Sequence, residues 1–265
     1  MNFKLSVSLL ALKKIDDLEI FLSILRSNSI RYIELPITKV VPRYIINEKK
    51  IITFKKTLKK YGIKVSSSQA VFYKKNLNIL NKLQFSKNYN HLLRVIKICE
   101  KIGIPNIIFG SPMNRKKNQL LKKEADRNFS LILKKIDKIL YKKKINFLIE
   151  PNAKYYKCDY LNTVNEVLNL LKANKFKKIF INLDTGNFLL ENDKIFLKKS
   201  DKKYFKNFQV SEKNLTVLSN NTIKHKKILK KFNLNNKFIS LEMLNIDIRK
   251  LNTNIKKLKI ITKNI

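Results

Sequence analysis

The feature that most constrains this fold is a regular alternation of strand-like and helix-like segments along the whole chain. Short apolar runs predict eight strands, at Phe3–Ser8, Tyr32–Leu35, Ile63–Ser67, Asn106–Phe109, Ile145–Glu150, Lys178–Asp184, Asn207–Ser211 and Phe238–Glu242. Apolar residues at helical spacing predict helices between them, at Asp16–Ser27, Glu48–Tyr61, Asn88–Ile102, Lys117–Lys142, Leu161–Ala173, Ile195–Tyr204, Ile223–Phe232 and Asn245–Leu258. Eight such units in 265 residues predict an α/β protein with a closed (β/α)8 TIM barrel.

The same pattern leaves no room for a second domain. Gly62 and Gly103 each stand just before a predicted strand and fit helix C-terminal caps. No linker, low-complexity block or glycine-rich nucleotide loop interrupts the units, so we expect residues 1–265 to form a single TIM-barrel domain. No apolar stretch approaches the roughly 20 residues of a membrane span. Two cysteines, Cys99 and Cys158, are too few for a disulfide framework, and we expect a cytoplasmic protein.

The chain is strongly basic. A formal net charge of +39 and a pI near 10.2 would normally favour a nucleic-acid or anionic-membrane partner. The excess, however, is nearly all Lys, and it accompanies abundant Asn, Ile, Phe and Tyr, the residues that adenine- and thymine-rich codons specify. Arg, which suits bidentate phosphate contacts, is scarce. Specific nucleic-acid binding is therefore not expected, although anionic substrates would be attracted at low salt.

Carboxylates mark the ends of three predicted strands. Glu150, Asp184 and Glu242 occupy these positions, and the strand between the last two carries Gln209. The four positions are separated by 34, 25 and 33 residues, each near the length of one βα unit, so their side chains should meet at one rim of a barrel. Clustered carboxylates repel unless a cation lies among them, and oxygen donors suit Mg²⁺ or Mn²⁺, with Co²⁺ or Zn²⁺ as alternatives. The other interpretation is that these residues cap helices or pair with Lys.

Seven short motifs in order along the chain carry a resemblance to a known family. They are Tyr32–Pro42, Ser66–Ala70, Ile108–Arg115, Ile149–Asn152, Leu183–Gly186, Phe208–Glu212 and Ser240–Met243. Together they resemble the sugar phosphate isomerase/epimerase family, whose fold is the xylose isomerase-like TIM barrel. The resemblance implies that Glu150, Asp184 and Glu242 are ligands of a divalent metal, with the strand-five and strand-eight regions also supplying proton transfer.

The chain departs from the ketose 3-epimerases of that superfamily at three positions. Gln209 stands where the fourth metal ligand is usually His, Tyr156 where a second catalytic Glu is expected, and Asn187 where a substrate-binding His is expected. A two-base epimerisation is therefore not favoured. Apurinic endonucleases share the superfamily, but their trinuclear zinc site needs several His, and this chain has two, His91 and His225, both off the strand ends.

These observations predict a metal-dependent isomerase or epimerase acting on a sugar or sugar phosphate. Glu150 and Glu242 are the candidate catalytic residues, and Glu150, Asp184, Gln209 and Glu242 the candidate metal ligands. Proton abstraction next to a carbonyl would pass through a metal-stabilised enediolate. The alternatives are a non-catalytic sugar-binding barrel that has lost full metal ligation, and a non-specific nucleic-acid binder.

Polar residues in the predicted loops at the same rim are candidates for substrate binding. They are Gln69, Ser111, Arg115, Lys154, Asn187 and Glu212. Cys158 is expected to be a small buried side chain, and His225, which stands among lysines, to be an exposed helix residue. Whether the protein forms a homo-oligomer is left open by the sequence.

Overall fold

Eight parallel strands close into a barrel in which each strand pairs with its neighbours in sequence and β1 pairs with β8. The structure is a computed structural model that describes residues 3–195, 197–220 and 222–265. The strands are β1 Lys4–Ser8, β2 Tyr32–Pro36, β3 Lys64–Gln69, β4 Asn106–Phe109, β5 Asn146–Ile149, β6 Ile179–Asp184, β7 Phe205–Val210 and β8 Phe238–Leu241. The predicted (β/α)8 fold is confirmed.

Eight α-helices within the described residues alternate with the strands. They are α1 Leu18–Ser27, α2 Glu48–Lys60, α3 Phe85–Ile102, α4 Lys122–Lys143, α5 Val164–Asn174, α6 Thr185–Leu190, α7 Ile223–Leu229 and α8 Leu251–Thr262. Gly103 ends α3 with a left-handed φ of 88°, and Gly62 follows α2 with a φ of 63°, as the prediction of two C-terminal caps requires. None of the helices in the described part of the chain is long and apolar enough to cross a bilayer.

The predicted helix Ile195–Tyr204 is wrong. The helix of this unit is α6, which begins directly after β6 because the Asp184 side chain accepts a hydrogen bond from the backbone N–H of Gly186. A short 3-10 turn at Lys199–Tyr204 is what remains of the predicted segment, whose position 196 lies outside the described residues. Likewise, α8 begins at Leu251 instead of Asn245, because a 3-10 turn capped by Asp247 precedes it.

The apolar core lies between the strands and the helices. Phe109, Phe129 and Phe147 are typical of it, since all three are fully buried. The centroid of the Phe109 ring lies 5.8 Å from that of Phe129 and 5.5 Å from that of Phe147. Both cysteines are buried and free, as expected for Cys158. Burial of this layer supplies the main favourable contribution to folding.

The interior of the barrel is polar. Hydrogen bonds between strands that are not neighbours cross it, such as the 3.0 Å contact between the Ser6 and Ser66 hydroxyls of β1 and β3. Asn182 and Asn207 are also buried there, and the Asn207 amide donates to the Asn182 oxygen at 2.8 Å. TIM barrels more often fill this space with branched apolar side chains. Here a hydrogen-bonded interior leads up to the predicted carboxylate site.

Candidate active site

The three predicted carboxylates converge at the carboxyl end of the barrel. Glu150 directly follows β5, Asp184 ends β6 and Glu242 directly follows β8. All three are buried, with 8%, 3% and 8% of their surface exposed, respectively. They lie close enough that the charge on Asp184 raises the pKa of Glu150, and the charges on both raise the pKa of Glu242. The sequence therefore placed these three residues correctly at one rim.

Asp184 is held by the turn that follows it. One carboxylate oxygen accepts from the Gly186 backbone N–H at 3.0 Å, and the Ser211 hydroxyl lies 2.7 and 2.8 Å from the two oxygens. A Cβ added at Gly186 would lie 2.7 Å from the Ser211 carbonyl oxygen, closer than van der Waals contact allows. Only glycine therefore lets α6 approach the end of β7 closely enough for Ser211 to reach Asp184.

Three amides surround Glu150. Asn152, Asn182 and Asn187 donate to its carboxylate at 2.7, 3.1 and 3.0 Å. The Asn187 amide also donates to Asp184 at 2.8 Å, so it bridges two of the carboxylates. Gly110 provides the room, because a Cβ there would lie 3.3 Å from both Glu150 carboxylate oxygens.

Glu242 is the least supported of the three carboxylates. It accepts one side-chain hydrogen bond from the described residues, from the Gln69 amide at 2.9 Å. Burial raises its pKa well above the ordinary value, and the charges on Glu150, Asp184 and Glu34 raise it further. Burial is also the main cause of the raised pKa of Asp184, and with the charge on Asp184 it raises the pKa of Glu150 to about 8.

These shifts predict how stability depends on pH. Unfolded Glu titrates at about 4.3, whereas Glu150 in the folded metal-free protein keeps its proton up to about pH 8. The folded state therefore binds more protons in this range, and stability falls as the pH rises, by about 1.4 kcal/mol per pH unit for each proton kept. His91 acts in the opposite direction at lower pH, because burial lowers its pKa from 6.5 to about 4.

We therefore expect the free energy of unfolding, measured by urea denaturation in the presence of a chelator, to decrease between pH 6.5 and pH 8. The Glu150→Gln variant should show a shallower decrease. A free energy that stays constant or rises over this window in the unmodified protein would contradict the arrangement.

Gln209 occupies the fourth predicted position, but both ends of its amide are engaged inside the barrel. Its nitrogen donates to Glu34 at 2.8 Å, and its oxygen accepts from the Asn182 amide. The side chain is fully buried. Its role as a metal ligand thus remains a prediction, and in this arrangement the amide oxygen is already paired.

Glu34 is a site residue that the sequence-based predictions did not include. It lies in the middle of β2, is fully buried, and accepts hydrogen bonds from Ser67 at 2.9 Å and Asn207 at 3.1 Å in addition to Gln209. Burial raises its pKa. A carboxylate in the middle of the apolar run Tyr32–Pro36 was the signal that could have found it, since a buried charge is rarely tolerated without partners.

The predicted substrate-binding residues fall into two groups. Gln69 and Asn187 lie inside the carboxylate cluster, through their bonds to Glu242 and to Glu150 and Asp184. Arg115 is fully buried behind it, and its guanidinium donates to the Glu150 carbonyl oxygen at 2.7 Å and to Asn152 at 2.9 Å. Arg115 thus supports the loop after β5 from within the protein.

Three other candidates lie further out. Lys154 is exposed and pairs with Glu191 at 3.4 Å. Ser111 is half-buried in the loop after β4, with a left-handed φ of 43°. Glu212 accepts from the Ser219 hydroxyl at 2.7 Å and lies 3.5 Å from the His225 ring. The roles of all six candidates in substrate binding remain predictions.

His225 is not the exposed residue that was expected. It is only 2% exposed, and its Nδ1 lies 2.7 Å from the Thr185 hydroxyl. The prediction was wrong because α7 packs against α6, which a short lysine-rich segment does not reveal. His225 therefore connects Glu212 to the residue that follows Asp184.

Tyr156 borders the carboxylates. Its hydroxyl accepts from the Asn214 backbone N–H at 3.0 Å. Burial raises its pKa, and the charges on Asp184 and Glu242 add to the rise, so these groups lie within electrostatic reach. Tyr156 is a half-buried neutral side chain at the position where the resemblance implies a carboxylate.

The donor chemistry of the cluster fits a divalent cation, although the geometry is not preformed. Asp184 raises the pKa of Glu150, and both raise the pKa of Glu242, so a positive charge among these buried carboxylates would relieve the repulsion. Oxygen donors are also the ligands that hard cations prefer. Across the described ranges, however, no group of three or more His, Cys, Asp and Glu side chains is already arranged around one point as ligands. The Asn187 amide, which bridges Glu150 and Asp184, would have to move aside.

A closed (β/α)8 barrel with convergent polar groups at the carboxyl ends of its strands belongs to the class of TIM barrels with an enzyme-type site. The sequence matches the xylose isomerase-like TIM barrel family over residues 22–258, and the chain belongs to that family. The resemblance drawn from the seven motifs is thereby confirmed. No curated protein matches the chain in sequence.

Solved structures with the same fold include several sugar epimerases. D-Psicose 3-epimerase from Clostridium cellulolyticum H10, solved with D-tagatose, is 14% identical, with a TM-score of 0.72 over 98% of this chain and 92% of its own. The 3-keto-D-glucoside 4-epimerase YcjR from E. coli is 10% identical, with a TM-score of 0.72 over 98% of both chains. The IolI protein, solved with a zinc atom, is 15% identical, with a TM-score of 0.71 over 98% of this chain and 96% of its own. At these identities the likeness establishes the fold.

Proposed function

We propose that this protein is an isomerase or epimerase of a sugar or sugar phosphate that works with a divalent metal. The observation that carries the proposal is the convergence of Glu150, Asp184 and Glu242, all buried and each with a raised pKa, at the rim where TIM barrels keep their chemistry. Sugar epimerases among the solved structures of the same fold support the substrate class.

The residues that would hold the metal are Glu150, Asp184 and Glu242, with Gln209 as the fourth candidate. Oxygen donors favour Mn²⁺ or Mg²⁺, and the zinc atom in the IolI structure keeps Zn²⁺ and Co²⁺ as alternatives. A divalent cation bound there supplies Lewis-acid polarisation of a substrate carbonyl.

Proton transfer is the part of the reaction that the chain itself performs. Glu242, which accepts a single side-chain hydrogen bond from the described residues, takes the proton from the carbon next to the carbonyl. The electrons of that C–H bond form the enediolate double bond, and the carbonyl oxygen takes the charge. Return of the proton to the former carbonyl carbon, together with transfer of the neighbouring hydroxyl proton to the former carbonyl oxygen, gives the isomer. Delivery of a proton to the opposite face of the original carbon, for which Glu150 is the candidate donor, gives the epimer. Burial and the neighbouring carboxylates raise the pKa of Glu242, which makes it a stronger base than an ordinary carboxylate.

Glu150 is the second candidate for moving a proton. Its carboxylate is oriented by three amides, and in the metal-free protein burial and the charge on Asp184 raise its pKa to about 8. The buried, free thiols of Cys99 and Cys158 support a reducing, cytoplasmic location.

A sugar-binding barrel without turnover is the second candidate function. It is favoured by Gln209, whose amide is paired at both ends and which lacks the charge and the ring nitrogen of a stronger ligand. A non-specific nucleic-acid binder has only the net charge of +39 in its favour.

The proposal is tested with the unmodified protein. Metal content is measured after equilibration with Mn²⁺, and a panel of ketoses and ketose phosphates is incubated with the protein in D₂O. We expect about one metal per chain and deuterium at the carbon next to the carbonyl of at least one sugar, lost with a chelator and restored by Mn²⁺. Binding of a sugar without exchange would favour the non-catalytic barrel, and neither metal nor sugar binding would refute both.

A further inference from the structure

We infer that Glu34 is a positioning residue of the proposed metal centre and acts on it through Gln209. The inference rests on the proposed function. Glu34 accepts hydrogen bonds from Ser67 on the neighbouring strand and from Asn207 and Gln209 across the barrel, at 2.8–3.1 Å. All four side chains are fully buried, so water does not compete for these contacts.

The Glu34 carboxyl accepts from Ser67 and from both neighbouring amides, so the nitrogen end of each amide faces it. Asn207 shows the cost of this orientation. Its nitrogen donates to both Glu34 and Asn182, while its buried oxygen finds no hydrogen-bond partner within the described ranges. A buried polar atom without a partner is costly, so the two acceptors Glu34 and Asn182 together outweigh that cost.

Glu34 also sets the direction of a chain of amides that ends at the rim. The Gln209 nitrogen faces Glu34 at 2.8 Å and lies 3.5 Å from the Gln69 oxygen. With its oxygen turned this way, Gln69 presents its nitrogen to Glu242 at 2.9 Å. Glu34 thereby holds the Gln209 oxygen pointing away from itself, and the orientation of Gln69 that this favours also gives the proposed base Glu242 its donor.

The surroundings of position 209 therefore suit a side chain that donates a hydrogen bond to Glu34 with one atom and binds a metal with another. Imidazole has this property, because one ring nitrogen can donate to a carboxylate while the other coordinates, and such pairing orients the ring and raises its basicity. Gln209→His should accordingly add a nitrogen ligand beside Glu150, Asp184 and Glu242, but only while Glu34 is a carboxylate.

The test measures Co²⁺ affinity and the visible absorption of bound Co²⁺ in five proteins. These are the unmodified protein, Glu34→Gln, Glu34→Asp, Gln209→His and the double variant Glu34→Gln/Gln209→His. We expect Gln209→His to bind Co²⁺ at least about tenfold more tightly and to change the spectrum, and the double variant to lose most of that gain, as second-sphere partners of metal ligands commonly contribute 10–100-fold. Glu34→Gln should weaken binding in the Gln209 background, with partial recovery in Glu34→Asp.

The inference is overturned if Gln209→His gains the same affinity with and without Glu34. Asp201→Asn serves as the matched control, because Asp201 is a buried carboxylate paired with Lys172, outside the cluster, and its loss should leave Co²⁺ affinity unchanged. If all the cluster variants and this control lose affinity alike, the effect is general destabilisation and the inference fails.

Failure of the proposed function would look different. If the unmodified protein binds no divalent metal, the coupling of Glu34 and Gln209 is still measured without metal, by a double-mutant cycle of Glu34→Gln and Gln209→Leu on the urea midpoint. We expect the effects of the two substitutions to be clearly non-additive, and additive effects would refute the contact on which the inference depends.

Discussion

Replacing Glu242 by Gln is expected to lower turnover by orders of magnitude and, in the same protein, to stabilise the metal-free fold. Gln keeps an oxygen that accepts from the Gln69 amide, so this side-chain hydrogen bond survives. The variant can no longer take up the substrate proton, and we expect turnover to fall by about 10²–10⁴-fold, the usual contribution of a positioned base. Loss of one carboxylate should also weaken Mn²⁺ binding.

The gain in stability has a separate cause. Glu242 is a buried carboxylate that lies within reach of the charges on Glu150 and Asp184, and a neutral amide removes this repulsion. We expect the free energy of unfolding at pH 8 without metal to rise by about 0.5–2 kcal/mol, as when other strained functional residues are replaced. Glu100→Gln, which removes an exposed carboxylate paired with Lys143, is the control and should change neither quantity appreciably. A variant that keeps full turnover would show that Glu242 is not the catalytic base. A variant that is less stable at pH 8 would show that neighbouring charges do not destabilise Glu242.

The second large effect is expected from Gly186→Ala. Alanine favours a helix over glycine by about 1 kcal/mol, so helix propensity alone predicts that this substitution within α6 stabilises the protein. The added Cβ, however, would lie 2.7 Å from the Ser211 carbonyl oxygen and 3.0 Å from its carbonyl carbon, and backbone atoms cannot move aside as a side-chain end can. We expect the free energy of unfolding to fall by about 1–3 kcal/mol.

Metal binding should be lost together with stability in Gly186→Ala, because pushing Ser211 away removes the hydroxyl that bonds both oxygens of Asp184. Gly103→Ala is the matched control. A Cβ there meets no atom within 4 Å, and the substitution adds only the cost of a left-handed φ of 88°. It should therefore lower stability by about 1–2 kcal/mol and leave metal affinity intact. Equal metal affinity in Gly186→Ala and the unmodified protein would contradict the role given to this turn.

The fold was predictable because each βα unit has a recognisable pattern in its own stretch of sequence. Apolar runs gave the eight strands to within a few residues, and the spacing of Glu150, Asp184 and Glu242 then located the rim. The helix after β6 was misplaced, because the six-residue helix α6 carries too few turns for a helical period to emerge.

The partners of the site residues could not be predicted in the same way. Contacts across the barrel, such as Glu34 with Gln209 and Gln69 with Glu242, join positions 175 and 173 residues apart and depend on how the barrel closes. His225 was misjudged for the same reason, since its burial comes from packing of α7 against α6. Spacing along the chain locates a strand end, whereas a hydrogen-bond partner on the far side of a barrel leaves no local pattern.

The hydrogen-bonded interior of the barrel has a consequence for how such a protein can evolve. Its oily layer, between strands and helices, maintains the architecture, while Asn, Ser, Gln and Glu side chains fill the centre and lead to the reactive rim. The residues that stabilise the fold and the residues that form the site thus lie in different layers of the barrel. A substitution such as Gln209→His changes the polar interior and leaves the apolar layer unchanged. The specificity of the site can therefore change without loss of the fold.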